Sequence, residues 1–90
     1  MPSTVSLTLL TKPGCHLCDD ARQVVAGVVA RLEGAASAPV VTVEEFSILD
    51  DAELLDRYAD EIPVLLIDGR VHNIWRIDPA RLRAAILEEK

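Results

Sequence analysis

Cys15 and Cys18 are the only cysteines among 90 residues, and only His16 and Leu17 separate them. Two thiols at that spacing can exchange with a substrate disulfide, take part in a metal site, or bond to each other. Exchange requires the thiolate, and a free cysteine with a pKa of about 8.5 is mostly protonated at neutral pH. The flanking residues bear on this. An apolar, β-prone run from Val5 to Leu10 leads to a turn at Lys12-Pro13-Gly14, and a helical pattern follows from about Leu17 to Leu32. Cys15 therefore falls at or just before the first helical residue, where unpaired N–H groups and the helix dipole favour an anion. Lowering its pKa to about 7 would correspond to about 2 kcal/mol of thiolate stabilisation. Cys18 lies one turn deeper, within the Cα separation of roughly 4.4–6.8 Å that a disulfide needs. Cys15 is thus expected to be the nucleophile and Cys18 the resolving thiol. Lys12 and a protonated His16 favour the Cys15 thiolate, while Asp19 and Asp20 oppose it. The expectation is a modest depression of the Cys15 pKa, with His16 as an exposed tuning residue.

The competing uses of the pair are weaker. A disulfide closing a four-residue loop is worth at most about 2 kcal/mol in the chain-entropy estimate, against about 3 for a 15-residue loop. It would be a poor staple. A closed zinc site needs four ligands, and beyond the two cysteines the chain has only two histidines, His16 and the distant His72. No bound metal is expected, although a metal or cluster shared across a dimer remains an alternative.

The elements that must position the pair follow from periodicity. Val5 to Leu10 alternates apolar and polar, then closes on two leucines, as a strand does. Leu17, Ala21, Val24, Val25, Val28, Val29 and Leu32 recur at three- and four-residue steps and predict an amphipathic helix. Its many valines lower the intrinsic propensity, so tertiary packing must hold it. Gly34 is the expected stop, and 35–39 a small-residue loop. Val40 to Phe46 reads as a second strand. Asp50 is the expected N-cap of a short helix, with Glu53 reaching back and Leu54, Leu55 and Tyr58 on its apolar side. Val64 to Ile67 is a buried-strand run, Asp68-Gly69 a hairpin turn, and Val71 to Trp75 the return strand. Asp78-Pro79 opens the last helix, with Leu82, Ala85 and Ile86 inward. His72 and Asn73 are expected to decorate the fourth strand, and Trp75 to pack in the core or at a strand edge. Arg76 suits either a substrate carboxylate or a surface ion pair.

Half of the residues are hydrophobic but only 3% are aromatic, so the core must be aliphatic. The length suits one domain, 1–90. The net charge of −6 argues against nucleic acid or an anionic membrane as partner, since both require a basic face. No segment approaches the roughly 20 apolar residues of a membrane span. The N-terminus, beginning at Met1, lacks a basic, then apolar, secretory pattern, so a cytoplasmic protein is expected. In that compartment close-set cysteines suggest redox or metal chemistry rather than a structural bond.

The order β-α-β-α-β-β-α, with Cys15-His16-Leu17-Cys18 after the first strand and Ile62-Pro63 before the third, resembles the glutaredoxins of the thioredoxin-fold superfamily. The Cys-His-Leu-Cys-Asp stretch is similar to a branch of small bacterial glutaredoxin-like proteins. The resemblance spans about Val5 to Glu88. It implies an α/β fold: a mixed four-stranded sheet flanked by three helices, its first β-α-β parallel. It implies a cis bond at Pro63, which would turn the Ile62 backbone toward a substrate. It also implies that Lys12 helps to hold glutathione and that Asp78 stands in for an aspartate that grips it. The sequence departs from the family pattern in two places. His16 and Leu17 replace the usual Pro-Tyr inside the tetrad. Trp75-Arg76-Ile77-Asp78-Pro79 replaces a Gly-Gly stretch.

The expected activity is that of a thiol–disulfide oxidoreductase in cell redox homeostasis, acting on protein or glutathione disulfides. It would need no bound cofactor and would draw electrons from glutathione or a reductase. The alternative is a redox-sensing or metal- or iron–sulfur-carrying module that uses the same cysteines without turnover.

Overall fold

The alternating N-terminal run forms the strand at the centre of the architecture. A computed structural model describes residues 4–35 and 39–88. In chain order they form β1 (Thr4–Thr11), α1 (His16–Glu33), β2 (Val40–Ser47), a 3₁₀ turn (Ile48–Asp50), α2 (Ala52–Tyr58), β3 (Val64–Ile67), β4 (Arg70–Ile74) and α3 (Pro79–Glu88). Within the expected 35–39 loop, residues 36–38 lie outside the described residues. The sheet order is β2-β1-β3-β4. β1 pairs parallel with β2 and antiparallel with β3, and β3 pairs antiparallel with β4. This is the mixed four-stranded sheet with three helices that the element order predicts. Among the described residues no helix is long and apolar enough to cross a membrane.

Strand alternation divides the core in two. Val5, Leu7 and Leu9 of β1 and Leu65 and Ile67 of β3 pack with Ala21, Val25, Val28 and Leu32 of α1 and with Leu82 and Ile86 of α3. The intervening Leu10 and Val64 join Cys18, Ile48 and Ile62 in a second, smaller cluster. That second cluster surrounds the cysteines.

Local chemistry explains most boundaries. Asp68 and Gly69 both take positive φ, 50° and 84°, as the hairpin between β3 and β4 requires. The turn is tied back to β1, since Ser6 N–H donates to Asp68 Oδ1 at 2.9 Å and Asp68 N–H to the Ser6 carbonyl at 2.8 Å. Asp78 Oδ1 caps α3, accepting from Ala80 N–H at 2.9 Å and Arg81 N–H at 3.2 Å.

Two expectations are corrected. The N-cap of α2 is Asp51, which accepts from Glu53 and Leu54 N–H at 2.9 and 3.3 Å. Asp50 instead closes the 3₁₀ turn capped by Ser47. That turn takes up Ile48–Asp50, shifts the helix start by one residue, and leaves Glu53 no role in a capping box. Trp75 is neither core nor strand. β4 ends at Ile74, a register irregularity lies opposite Leu65/Leu66, and Trp75 turns out of the sheet at φ 63° with 53% of its surface exposed.

Candidate active site

Gly14 takes a left-handed φ of 73° at the end of the turn after β1, and the chain then enters α1. Cys15 is the N-cap of that helix, extended at φ −100° and ψ 112°. Its Sγ accepts a hydrogen bond from Cys18 N–H at 3.2 Å. A sulfur thus takes the place that a serine or aspartate oxygen holds at most helix starts. Its carbonyl accepts the first helical bond, from Asp19 N–H at 3.3 Å. A donor aimed at Cys15 Sγ favours its anion over its thiol.

Cys15 and Cys18 have their Cα atoms 5.2 Å apart and their sulfurs at disulfide-bonding distance. Their environments differ. Cys18 is fully buried, whereas Cys15 is partly exposed. Cys15 packs against the second cluster, as do Leu54 and Tyr58 of α2, Leu66 of β3 and Ile74 of β4. One sulfur is open to a partner and the other is reached only through it.

The other sequence-derived candidates fall at several places around this pair. The Ile62–Pro63 bond is cis, and both residues are buried beside the cysteines. His16 is the first residue of α1 and exposed. Lys12 is exposed after β1 and makes no ion pair among the described residues. Asp78 is engaged with the start of α3, and its own N–H donates to Asn73 Oδ1 at 3.1 Å. Asn73 therefore anchors the β4–α3 connection rather than merely decorating a strand.

The acidic neighbours are not all free charges. Arg22 pairs with Asp19, and its Nε donates to Glu45 Oε1 and Oε2 at 2.8 and 2.9 Å. Thr11 Oγ1 donates to the same carboxylate at 3.1 Å. The Arg22 hydrogen bonds hold the Glu45 carboxyl below its ordinary range, and in return raise the Arg22 pKa. This network ties α1 to β1 and β2 and offsets the Asp19 charge near Cys15. Burial, followed by the nearby Arg81, lowers the His72 pKa; its Nε2 is buried without a hydrogen-bond partner among the described residues.

Sequence reasoning missed the role of the β4–α3 connection. Trp75 N–H donates to the Pro63 carbonyl at 2.8 Å, and its indole Nε1 donates to the Asp60 carbonyl at 3.1 Å. The connection is thereby fastened to the segment that carries Pro63. No signal in the residue types announces this, because tryptophan does not advertise a left-handed backbone. Two larger clefts, of about 500 and 410 Å³, run along α1 against α3 and β2, and neither touches a cysteine. Among the described residues no three His, Cys, Asp or Glu side chains converge as metal ligands.

Comparisons with known proteins agree with this architecture. Residues 6–87 match the family model described as Glutaredoxin-like domain (DUF836). An uncharacterized protein of Mycobacterium tuberculosis is 31% identical over 84 residues, spanning 93% of this chain and 84% of its own length. A glutaredoxin-like protein of Dictyostelium discoideum is 27% identical over 81 residues, 88% of this chain and 72% of its own. The X-ray structure of a structural-genomics target from X. campestris superposes with a TM-score of 0.66 at 34% identity, covering 88% of this chain and 92% of that one. A thioredoxin variant from Halobacterium salinarum, 21% identical, has a TM-score of 0.56 over 97% of this chain and 75% of its own, a likeness of fold alone.

Proposed function

The chain belongs to the glutaredoxin-like domain family, and within it we propose a thiol–disulfide oxidoreductase that works through Cys15 and Cys18. The observation that carries this reading is the amide of Cys18 donating to Cys15 Sγ at 3.2 Å. It stabilises the thiolate at the one sulfur that is partly exposed.

The Cys15 thiolate attacks one sulfur of a substrate disulfide, forms a mixed disulfide, and expels the other substrate sulfur as a thiolate. Cys18 then loses its proton and attacks Cys15 Sγ. The second substrate thiolate leaves, and the protein retains the disulfide. Two electrons have passed from the protein dithiol to the substrate, which ends as two thiols. The buried Cys18 meets the mixed disulfide from inside, which keeps the resolving step intramolecular and fast. Glutathione or a reductase returns the electrons.

The Ile62 backbone, beside the cysteines, would pair with an extended substrate segment as an added strand does. Lys12 would add positive charge near the thiolate and attract an anionic substrate group. Asp78 would act from the α3 start, and His16 would tune the thiolate from the first helical position.

The test is direct. Reduced protein should convert a disulfide substrate to thiols in a stoichiometric first turnover, and Cys15→Ser should abolish that conversion. Cys18→Ser, equilibrated with glutathione disulfide and with a protein disulfide, should accumulate a mixed disulfide on Cys15 detectable by mass. Conversion that survives in Cys15→Ser would refute the assignment.

A further inference from the structure

Trp75 is the structural feature that the exchange chemistry leaves unexplained. Its φ of 63° lies in a region that bulky residues seldom occupy. Such a backbone persists when surrounding contacts over-determine it, and an outlier of this kind motivates a functional hypothesis. Here two hydrogen bonds hold it, from the backbone N–H to Pro63 and from the indole to Asp60. Yet 53% of the residue remains exposed. A fixed, half-exposed indole with its polar edge already satisfied offers an apolar face at little further ordering cost.

Its position is next to the chemistry. Trp75 follows Ile74, which packs against the cluster that contains Cys18, and is fastened to Pro63. With Leu17, Ala21 and Ile77 it lines a cavity of about 180 Å³, rimmed by Asp20 and Arg76. That volume falls below the roughly 300–1,000 Å³ of clefts that enclose drug-sized ligands. It has room for one side chain rather than for a whole tripeptide. Charge points the same way. Glutathione is a net anion, whereas the charged lining of this cavity is Asp20 with Arg76, which offers no net positive charge.

We propose that Trp75 is a specificity-determining residue: its indole face, with Leu17, receives an apolar side chain adjacent to the reacting cysteine of a protein disulfide. This rests on the oxidoreductase reading above and names its substrate class, an extended protein segment with an aliphatic or aromatic residue beside the cysteine.

The experiment uses the reduced full chain and three substrates. Two are peptide disulfides identical except for leucine or serine beside the cysteine, and the third is glutathione disulfide. The rate of thiol release is measured for each. The leucine peptide should react about tenfold faster than the serine peptide, the lower end of what an apolar pocket discriminates. Trp75→Gly, which accepts a positive φ without strain, should bring that ratio close to one. Trp75→Phe should retain most of it. The ratio is insensitive to a uniform change in thiol reactivity, and a thermal melt checks that each variant folds. A ratio unchanged in Trp75→Gly, or a wild-type preference for glutathione disulfide over both peptides, overturns the proposal and leaves the oxidoreductase reading intact. A wild-type protein that reduces none of the three overturns both.

Discussion

The two clusters on either side of the sheet are built to different standards. On the α1/α3 side, Val5, Leu7, Leu65, Leu82 and Ile86 are completely buried, and two helices of 18 and 10 residues cover the strands. On the side that holds the cysteines, α2 has seven residues, none of them buried. Leu49 and Leu55 remain more than a third exposed there. Apolar burial stabilises in rough proportion to area, so the first side carries more of the folding free energy. The second gives up burial and leaves one sulfur within reach of another molecule. Thiol exchange requires that, since the attacking sulfur and its target must come into direct contact.

The largest expected effect tests the first half of this contrast. Leu82→Ala keeps helix propensity while emptying a fully buried site, and should cost about 2–5 kcal/mol in urea denaturation. A loss below about 1 kcal/mol would mean that the α3 side is not the stabilising one. A smaller effect concerns the cysteine side. Asp51→Ala removes the α2 cap and should cost about 1 kcal/mol. Hydrogen exchange should show this loss as faster opening of α2, with α1 and α3 little changed; uniform acceleration would place α2 in the same cooperative unit as the core.

The smallest effect is electrostatic and lies on the α1 side, at Arg22, Glu45 and Asp19. The Glu45 carboxyl is depressed in the folded protein, chiefly by its hydrogen bonds to Arg22. In the unfolded chain it takes up a proton first as pH falls. The pair's stabilisation is therefore full above the ordinary carboxylate value and is lost as pH drops through the folded one. The urea midpoint should fall with acidification more steeply in the wild type than in Glu45→Gln, and high salt should narrow the difference. Identical slopes would show that the exposed pair contributes nothing.

Much of this design is legible in the chain because it is local. Val5 to Leu10, the Pro13-Gly14 break and the stripe from Leu17 to Leu32 place Cys15 at a helix start from short-range periodicity alone. Asp68-Gly69 and Asp78-Pro79 likewise mark a hairpin and a helix by the backbone angles those residues accept. The N-cap of α2 was harder to read. Asp50 and Asp51 are chemically equal caps, and the choice between them depends on Ile48, which is buried against Leu10 and Val64 from other strands. Trp75 was harder still. Its residue type favours a strand, and its left-handed turn is held by hydrogen bonds that it donates to carbonyls 12 and 15 positions earlier.

The order of residues by itself determined where a thiolate could form: a cysteine before a helix-forming stripe, with a second cysteine one turn on. Those relations span a few residues, and backbone geometry at that range varies little with context. Tertiary structure alone decided which sulfur is covered, which aromatic stays half-exposed, and which carboxylate is held in its charged form by Arg22. Each of these depends on strand register and on contacts between segments far apart in the chain, which a local pattern of residue types does not encode.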